Sequence, residues 1–190
     1  MKKIRIGLSG KKGSFSEEAS HYYCQKENIT NYQLVYLTTV KNVLKSLNQN
    51  KIDWGIFPIE NSNGGIVYEA VEAMSQYNFQ IKKFFEIDIS HCLIALPQTL
   101  PQKISAIVSH PQALKQCRMY LKRKWPDIEL KEWEDTAAAA EALSQKKISP
   151  NYAVIASRNA AQLYHLDILE ENIQDLKFNF TTFLAVTKRK

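Results

Sequence analysis

An apolar run of four or five residues that ends in a small polar turn and restarts as a helix recurs four times along this chain. That recurrence limits the fold more than any other feature. Ile104–Val108 leads into Ser109-His110-Pro111-Gln112-Ala113-Leu114, and Ile4–Leu8 leads into Ser9–Ser16. Trp54–Phe57 leads into Pro58-Ile59-Glu60-Asn61-Ser62, and Tyr152–Ile155 into Ala156-Ser157-Arg158-Asn159. Pro111 suits a helix first turn, where a missing N–H costs nothing, and the helix N-terminus beyond it attracts anions. In open α/β sheets, ligands bind outside the carboxyl ends of the strands, where such junctions collect. Four polar corners of this kind predict an α/β protein with a cleft for a small anion.

Strand and helix signals alternate almost throughout. A strand over 4–8 precedes a helix N-capped at Ser16, with Glu17 and Glu18 in its favoured first turn. Val40, Val43, Leu44 and Leu47 have amphipathic helical spacing; a strand over 53–57 and a helix carrying Val67, Ala70, Val71 and Met74 follow. Residues 79–96 break the rhythm, because Phe79–Phe85 and Ser90–Leu96 read as extended segments with no helix between them. Alternation resumes with strand 104–108, helix 111–124, strand 128–133, helix 136–145, strand 152–156 and helix 158–165, and Asn179–Thr187 is a final strand. The interruption predicts a crossing into a second lobe, with the last strand returning to the first. The expected division is lobe 1 over 1–78 plus 176–190 and lobe 2 over 79–175, with the cleft between two βα lobes. This architecture resembles that of type II periplasmic binding proteins.

At 190 residues and 45% hydrophobic, the chain is long enough for a substantial core. Met1-Lys2-Lys3-Ile4-Arg5 opens like a signal peptide, but Ile4, Ile6 and Leu8 alternate with Arg5 and Gly7 in a strand pattern. No apolar run approaches the ~18 residues of a membrane span. Cys24, Cys92 and Cys117 are odd in number and lack CxxC spacing, which predicts reduced thiols, no metal site and a cytoplasmic location. The net charge of +6 comes from scattered lysines with no aromatic-interleaved stripe, so a solvated surface is expected, with neither nucleic acid nor membrane as partner. The expected partners are a small-molecule substrate and further copies of the chain.

Gly10-Lys11-Lys12-Gly13-Ser14-Phe15-Ser16 is a donor-rich turn that matches neither a P-loop nor GxGxxG, and by spacing alone it reads more readily as a plain cap and turn. Glu60-Asn61-Ser62 places a carboxylate and an amide beside a strand end, where they orient a hydroxyl or an ammonium; the alternative is a turn in which Asn61 or Ser62 caps the next helix. Gln112 lies in a helix first turn, and His110 is either a titrating group or a cap. On the last strand Thr181 and Phe183 share one face and Thr182 the other.

Taken together and in order, these segments resemble the prephenate dehydratase family. Gly10–Ser16 with Glu17-Glu18-Ala19 looks like its Gly-x-x-Gly-Thr/Ser-Phe-Ser opening, and Pro58-Ile59-Glu60-Asn61-Ser62 with Gly65 and Val67 like its Pro-Ile-Glu-Asn-Ser loop. His91-Cys92-Leu93, Ser109–Leu114 with Gln116-Cys117-Arg118, and Glu171-Asn172-Ile173-x-Asp175 also match. Asn179-x-Thr181-x-Phe183 resembles the Asn-x-Thr-Arg-Phe signature, with Thr182 in the arginine's place, and Gly64 stands where the family often has Glu. The resemblance covers essentially the whole chain and implies a catalytic domain without a regulatory ACT domain.

It further implies conversion of prephenate to phenylpyruvate with loss of water and carbon dioxide, without cofactor or metal. By motif, Thr181 hydrogen-bonds the leaving hydroxyl, and Glu60, Asn61 and Gln112 position the substrate. Ser14, Phe15, Ser16, Ser62, Ser109, His110 and Phe183 complete the expected substrate contacts. The competing expectations are a prephenate decarboxylase, an arogenate dehydratase and a non-catalytic binder of a small anionic aromatic ligand. Lys177 or Arg158 is a candidate to replace the missing arginine.

Overall fold

The computed structural model describes residues 3–189. In chain order its strands are β1 (Ile4–Leu8), β2 (Tyr32–Tyr36), β3 (Trp54–Asn61), β4 (Gly65–Ile66), β5 (Gln80–Asp88), β6 (Cys92–Ala95), β7 (Ala106–Ser109), β8 (Glu129–Glu132), β9 (Tyr152–Ala156), β10 (Asp167–Glu170) and β11 (Phe180–Thr187). Its α-helices are α1 (Phe15–Lys26), α2 (Val40–Asn48), α3 (Tyr68–Gln76), α4 (Pro111–Gln116), α5 (Arg118–Lys124), α6 (Thr136–Ser144) and α7 (Arg158–Leu163). The chain divides into two compact units, one running through Asp88 and resuming at Phe180, the other spanning Ile89–Asn179. The expected boundaries after 78 and 175 therefore move, because Gln80–Asp88 pairs along β11 and belongs to the first sheet. Met1, Lys2 and Lys190, at the ends of the expected first lobe, lie outside the described residues.

The first unit holds a sheet in the order β2-β1-β3-β11-β5, with β4 folded back on β3. β2, β1 and β3 are parallel, and β11 runs antiparallel to both β3 and β5. Helix α2 presents Val40, Val43, Leu44 and Leu47 at helical spacing, and they bury against Phe57, Leu184 and Val186 with Ala70 and Ala73 of α3. The second unit orders its sheet β10-β6-β9-β7-β8, with β9, β7 and β8 parallel. There the small side chains of Ala137, Ala139 and Ala140 in α6 pack on Val108, Val154 and Ala156.

Three local expectations change. The helix expected over 111–124 breaks at Cys117 (φ −108°, ψ 14°), and the Asp175 carboxylate accepts the freed N–H groups of Met119 and Tyr120 at 2.8 and 2.9 Å. The strand expected over 53–57 runs on to Asn61, so Pro58–Asn61 form no strand-to-helix corner. Pro58 lies beyond Ile56, the last β3 residue paired with β1, and a bulge at Ile59 absorbs it in the ladder to β11. Short, half-exposed edge strands β2 and β10 fill stretches whose apolar pattern is weak.

At the other edge of the first sheet, β5 is nine residues long and largely exposed. Val186 pairs with Ile81 and Ala185 with Lys83, so Lys82 is an extra, bulged residue. A bulge and two adjacent lysines blunt an edge that would otherwise template further strands. Cys24, Cys92 and Cys117 are buried, and among the described residues no helix is long and apolar enough to cross a membrane.

Gly7 and Gly55 face each other across β1 and β3. A Cβ on Gly55 meets Val43 Cγ1 at 2.8 Å and Val186 Cγ2 at 3.0 Å, so the sheet and α2 close over a gap only glycine fits. Gly55→Ala is expected to destabilise the protein by about 1–3 kcal/mol through overpacking, read from urea unfolding midpoints; an unchanged midpoint disproves the tight fit.

Candidate active site

In the first unit, β1 and β3 are adjacent and parallel, so their carboxyl ends open side by side. After β1 the chain turns through Gly10 (φ +145°) and Gly13 (φ +85°), conformations that a side chain resists. A Cβ on Gly10 sits 2.5 Å from Ser14 Oγ. This tight turn makes Ser14, not Ser16, the N-cap of α1: its Oγ accepts from Glu17 N–H at 3.4 Å. Glu17 answers as in a capping box, its carboxylate accepting from Gly13 N–H and from the Tyr36 hydroxyl. Ser14 and Ser16 are buried at the helix start and Phe15 is half-buried. Glu17 read from sequence only as a dipole partner; the Ser-x-x-Glu spacing was the signal for its grip on the loop.

At the end of β3, Asn61 is held from both sides. Its Nδ2 donates to Thr181 Oγ1 at 2.9 Å and to the Phe180 carbonyl at 3.1 Å, while Oδ1 accepts from the N–H groups of Asn63 and Gly64 at 2.9 and 2.8 Å. Asn61 thus shapes the turn into β4 and does not cap α3, whose N-cap is Val67. Because Asn61 donates to Thr181 Oγ1, the Thr181 proton points elsewhere, and the hydroxyl is set up as a donor. Ser62 is part of the ladder: its N–H donates to the Phe180 carbonyl at 2.8 Å, and its Oγ accepts from Phe180 N–H at 3.0 Å.

Asn61 and Thr181 are register partners, and so are Glu60 and Thr182. Successive side chains alternate, so Glu60 stands on the opposite face from Thr181. It forms a row there with Thr182 and Glu86, and Thr182 Oγ1 donates to Glu86 Oε1 at 3.2 Å. Phe183 is 1% exposed and stacks on Phe85 at 5.9 Å, with Tyr23 and Trp54 beyond. It supports Thr181 from within the core instead of offering a contact surface.

The second unit holds the remaining expected residues. Ser109, fully buried, donates to the Ile155 carbonyl at 2.6 Å. His110 is the N-cap of α4, its Nδ1 accepting from Gln112 N–H at 3.2 Å, and the Gln112 side chain is half-buried at that helix start. Sequence reasoning passed over a buried network here. Gln116 Oε1 meets His91 Nε2 at 2.7 Å and accepts from Asn179 Nδ2 at 3.0 Å; Asn179 also donates to the Ile89 carbonyl at 3.0 Å. Ile89 N–H donates back to the Asn179 carbonyl at 2.7 Å, so the segments entering and leaving this unit are stitched together. The motifs around His91, Gln116 and Asn179 were the available signal.

The fold and its two groups of strand-end residues define a class, the two-unit α/β proteins that include periplasmic binding proteins. A solved ABC-transporter periplasmic substrate-binding protein from Coxiella burnetii superposes at TM-score 0.51 and 13% identity, covering 95% of this chain and 84% of that one. The family model of prephenate dehydratase matches residues 6–190, and the chain belongs to that family. A prephenate dehydratase of Lactococcus lactis is 34% identical over 98% of this chain and 64% of its own length. Arogenate dehydratase 3 of Arabidopsis thaliana is 30% identical over 97% of this chain and 42% of its own length. The chain thus spans less than two thirds of either relative. The solved prephenate dehydratase of Arthrobacter aurescens in complex with L-Phe shares the fold at TM-score 0.86 and 24% identity, covering 98% of this chain and 60% of that one.

Buried His91 and half-buried Glu18 give opposed pH dependences. Burial lowers His91 from 6.5 to about 4, against a smaller upward pull from Gln116. Burial, with the neighbouring Glu17 charge, raises Glu18 from 4.5 to about 7. Between pH 4 and 6.5 the unfolded chain holds the His91 proton and the folded chain does not, so stability falls on acidification, by up to about 3 kcal/mol. Between pH 4.5 and 7 the folded chain holds the Glu18 proton and the unfolded chain releases it, so stability falls as pH rises. That second effect is the smaller, because the Glu18 carboxyl is partly solvated. Relative to the parent, Glu18→Gln is expected to gain stability from pH 4.5 to 7, and His91→Gln to lose it from pH 4 to 6.5. Urea unfolding at pH 4, 5.5 and 7 reads both slopes, and a reversed sign in either disproves its assignment.

Proposed function

We propose that this chain converts prephenate to phenylpyruvate, and the hydrogen bond from Asn61 to Thr181 carries the reading. Prephenate bears a carboxylate and a hydroxyl on opposite carbons of a cyclohexadiene ring. As the bond to the carboxylate breaks, its electron pair enters the ring, carbon dioxide leaves, and the hydroxyl departs with its bonding pair. With one proton from solvent the products are phenylpyruvate, carbon dioxide and water. Aromatisation supplies the driving force, so the protein's task is to stabilise negative charge on the departing oxygen. An alcohol is far too weak an acid to surrender its proton near neutral pH, so Thr181 acts as a hydrogen-bond donor that strengthens as the C–O bond breaks.

Asn61 keeps that donor aimed by occupying a lone pair of Oγ1. The twelve-residue helix α1 offers Ser14, Ser16 and its N-terminal dipole to a substrate carboxylate. Glu60, on the opposite face, sets the charge of its row and does not touch the departing hydroxyl. The name of the Arabidopsis relative makes arogenate, with an ammonium for the keto oxygen, the second substrate to test. Incubation with each substrate and mass analysis decides. Phenylpyruvate from prephenate supports the proposal, phenylalanine from arogenate alone moves it, and a product that keeps the hydroxyl overturns dehydration.

Thr181→Ala is expected to lower kcat by about 10²–10⁴-fold with little change in KM. Asn61→Asp exchanges the donor for an acceptor, so the Thr181 hydroxyl turns to bond it and kcat falls nearly as far. In the Thr181→Ala background the same exchange is expected to cost less than about threefold, since coupled groups are not additive. Additive losses would separate the two residues.

Thr182→Arg places a cation between Glu60 and Glu86, on the face away from Thr181. The expected result is kcat/KM within about threefold of the parent and a Tm about 2–4 °C higher, from cross-strand pairs worth up to about 1 kcal/mol. A tenfold rise in kcat/KM would give the family arginine a catalytic part and overturn this reading.

A further inference from the structure

In the second unit β8 is an edge strand and largely exposed. A groove of about 370 Å³ opens there. Leu114, Leu121, Trp125 and Ile128 form its apolar walls, and Leu130 of β8, 47% exposed, lies at its outer side. The Trp125 indole N–H is turned toward the Tyr120 hydroxyl at 3.4 Å, so the ring's one polar atom is directed at the protein interior. Lys115, Arg118 and Lys122 stand along the same groove, at i, i+3 and i+7 across α4 and α5. Among the described residues none of these three forms an ion pair, and no carboxylate lines the groove. The N–H groups of Met119 and Tyr120 are already bonded to Asp175, so an anion here would be met by side chains and not by the helix start.

We infer that this groove is a binding site for a small amphiphilic carboxylate, with an aromatic or branched apolar body against Trp125 and its charge between Arg118 and Lys122. The volume falls in the range of small-molecule sites, which are apolar with a few charged groups that fix orientation. Its nine lining residues are far fewer than the roughly 20–30 a side of a standard protein interface, which argues against a macromolecular occupant. A guanidinium fork suits a carboxylate and excludes cationic or neutral analogues by charge alone. The site is distinct from the residues assigned to catalysis, and the inference holds whatever the substrate.

The test is a titration of ¹⁵N-labelled protein with 3-phenylpropanoate, followed by amide and indole shifts, beside its neutral isostere 3-phenylpropanamide. Saturable shifts at Leu114, Arg118, Leu121 and the Trp125 indole are expected, with a dissociation constant of about 1 mM or lower, as suits a ligand of this size. The amide should bind at least tenfold more weakly. Arg118→Glu/Lys122→Glu alters two exposed side chains and should abolish those shifts while leaving the spectrum otherwise folded. Shifts confined to residues near Thr181 would report occupancy of the proposed catalytic site only and overturn the inference. Equal binding of acid and amide, insensitivity to the charge reversal, or no saturable shift up to 10 mM would do the same. Groove shifts that follow protein concentration and not ligand would assign the face to a second copy instead.

Discussion

The antiparallel ladder of β11 against β3 and β5 is the interaction on which the first unit rests. β11 lies between two strands that are close in sequence, and without it β3 and β5 have no common neighbour. Leu184 and Val186 supply part of the core under α2 and α3, and Phe183 anchors the aromatic stack on the other face. The same ladder sets Thr181 opposite Asn61 and Thr182 opposite Glu60. A single residue of slip would turn each of these pairs to the wrong side of the sheet. Core and candidate chemistry are thus fixed by one register.

Much of this was legible in the sequence because the strand-to-helix corners carry their own chemistry. Three of the four occur where expected, at Ser14, His110 and Ser157, each with its side chain accepting an N–H of the helix it caps. The shift from Ser16 to Ser14 came from glycine geometry, which composition does not reveal. The fourth corner failed because Pro58 reads as a breaker, whereas a bulge lets the strand run on to Asn61. The lobe boundary failed for a related reason: nothing in Gln80–Asp88 says which sheet will adopt it. β2 and β10, short edges with mixed polarity, gave too little periodicity to find.

For the candidate site, residue types were legible but their directions were not. Glu60 and Asn61 are adjacent in the motif, yet the pleat sends them to opposite faces. Ser109, Ser62 and Phe183 have the right neighbours for substrate contact but are engaged in the sheet or the core. The buried bonds among His91, Gln116 and Asn179 join residues 25 and 63 positions apart, and no local pattern announces them.

The position of β11 also orders events while the chain is being made. Everything from Ile89 to Asn179 is contiguous and can close on itself as soon as it is available, whereas the first sheet lacks its inner strand until the segment from Phe180 emerges. Until then β3 and β5 present unpaired edges beside apolar faces, a condition in which nascent chains are prone to association. The later-synthesised unit is therefore the first that can reach its final form, and the amino-terminal segment must wait for the strand that carries Thr181. Completion of the first fold and arrival of the candidate donor hydroxyl are one event.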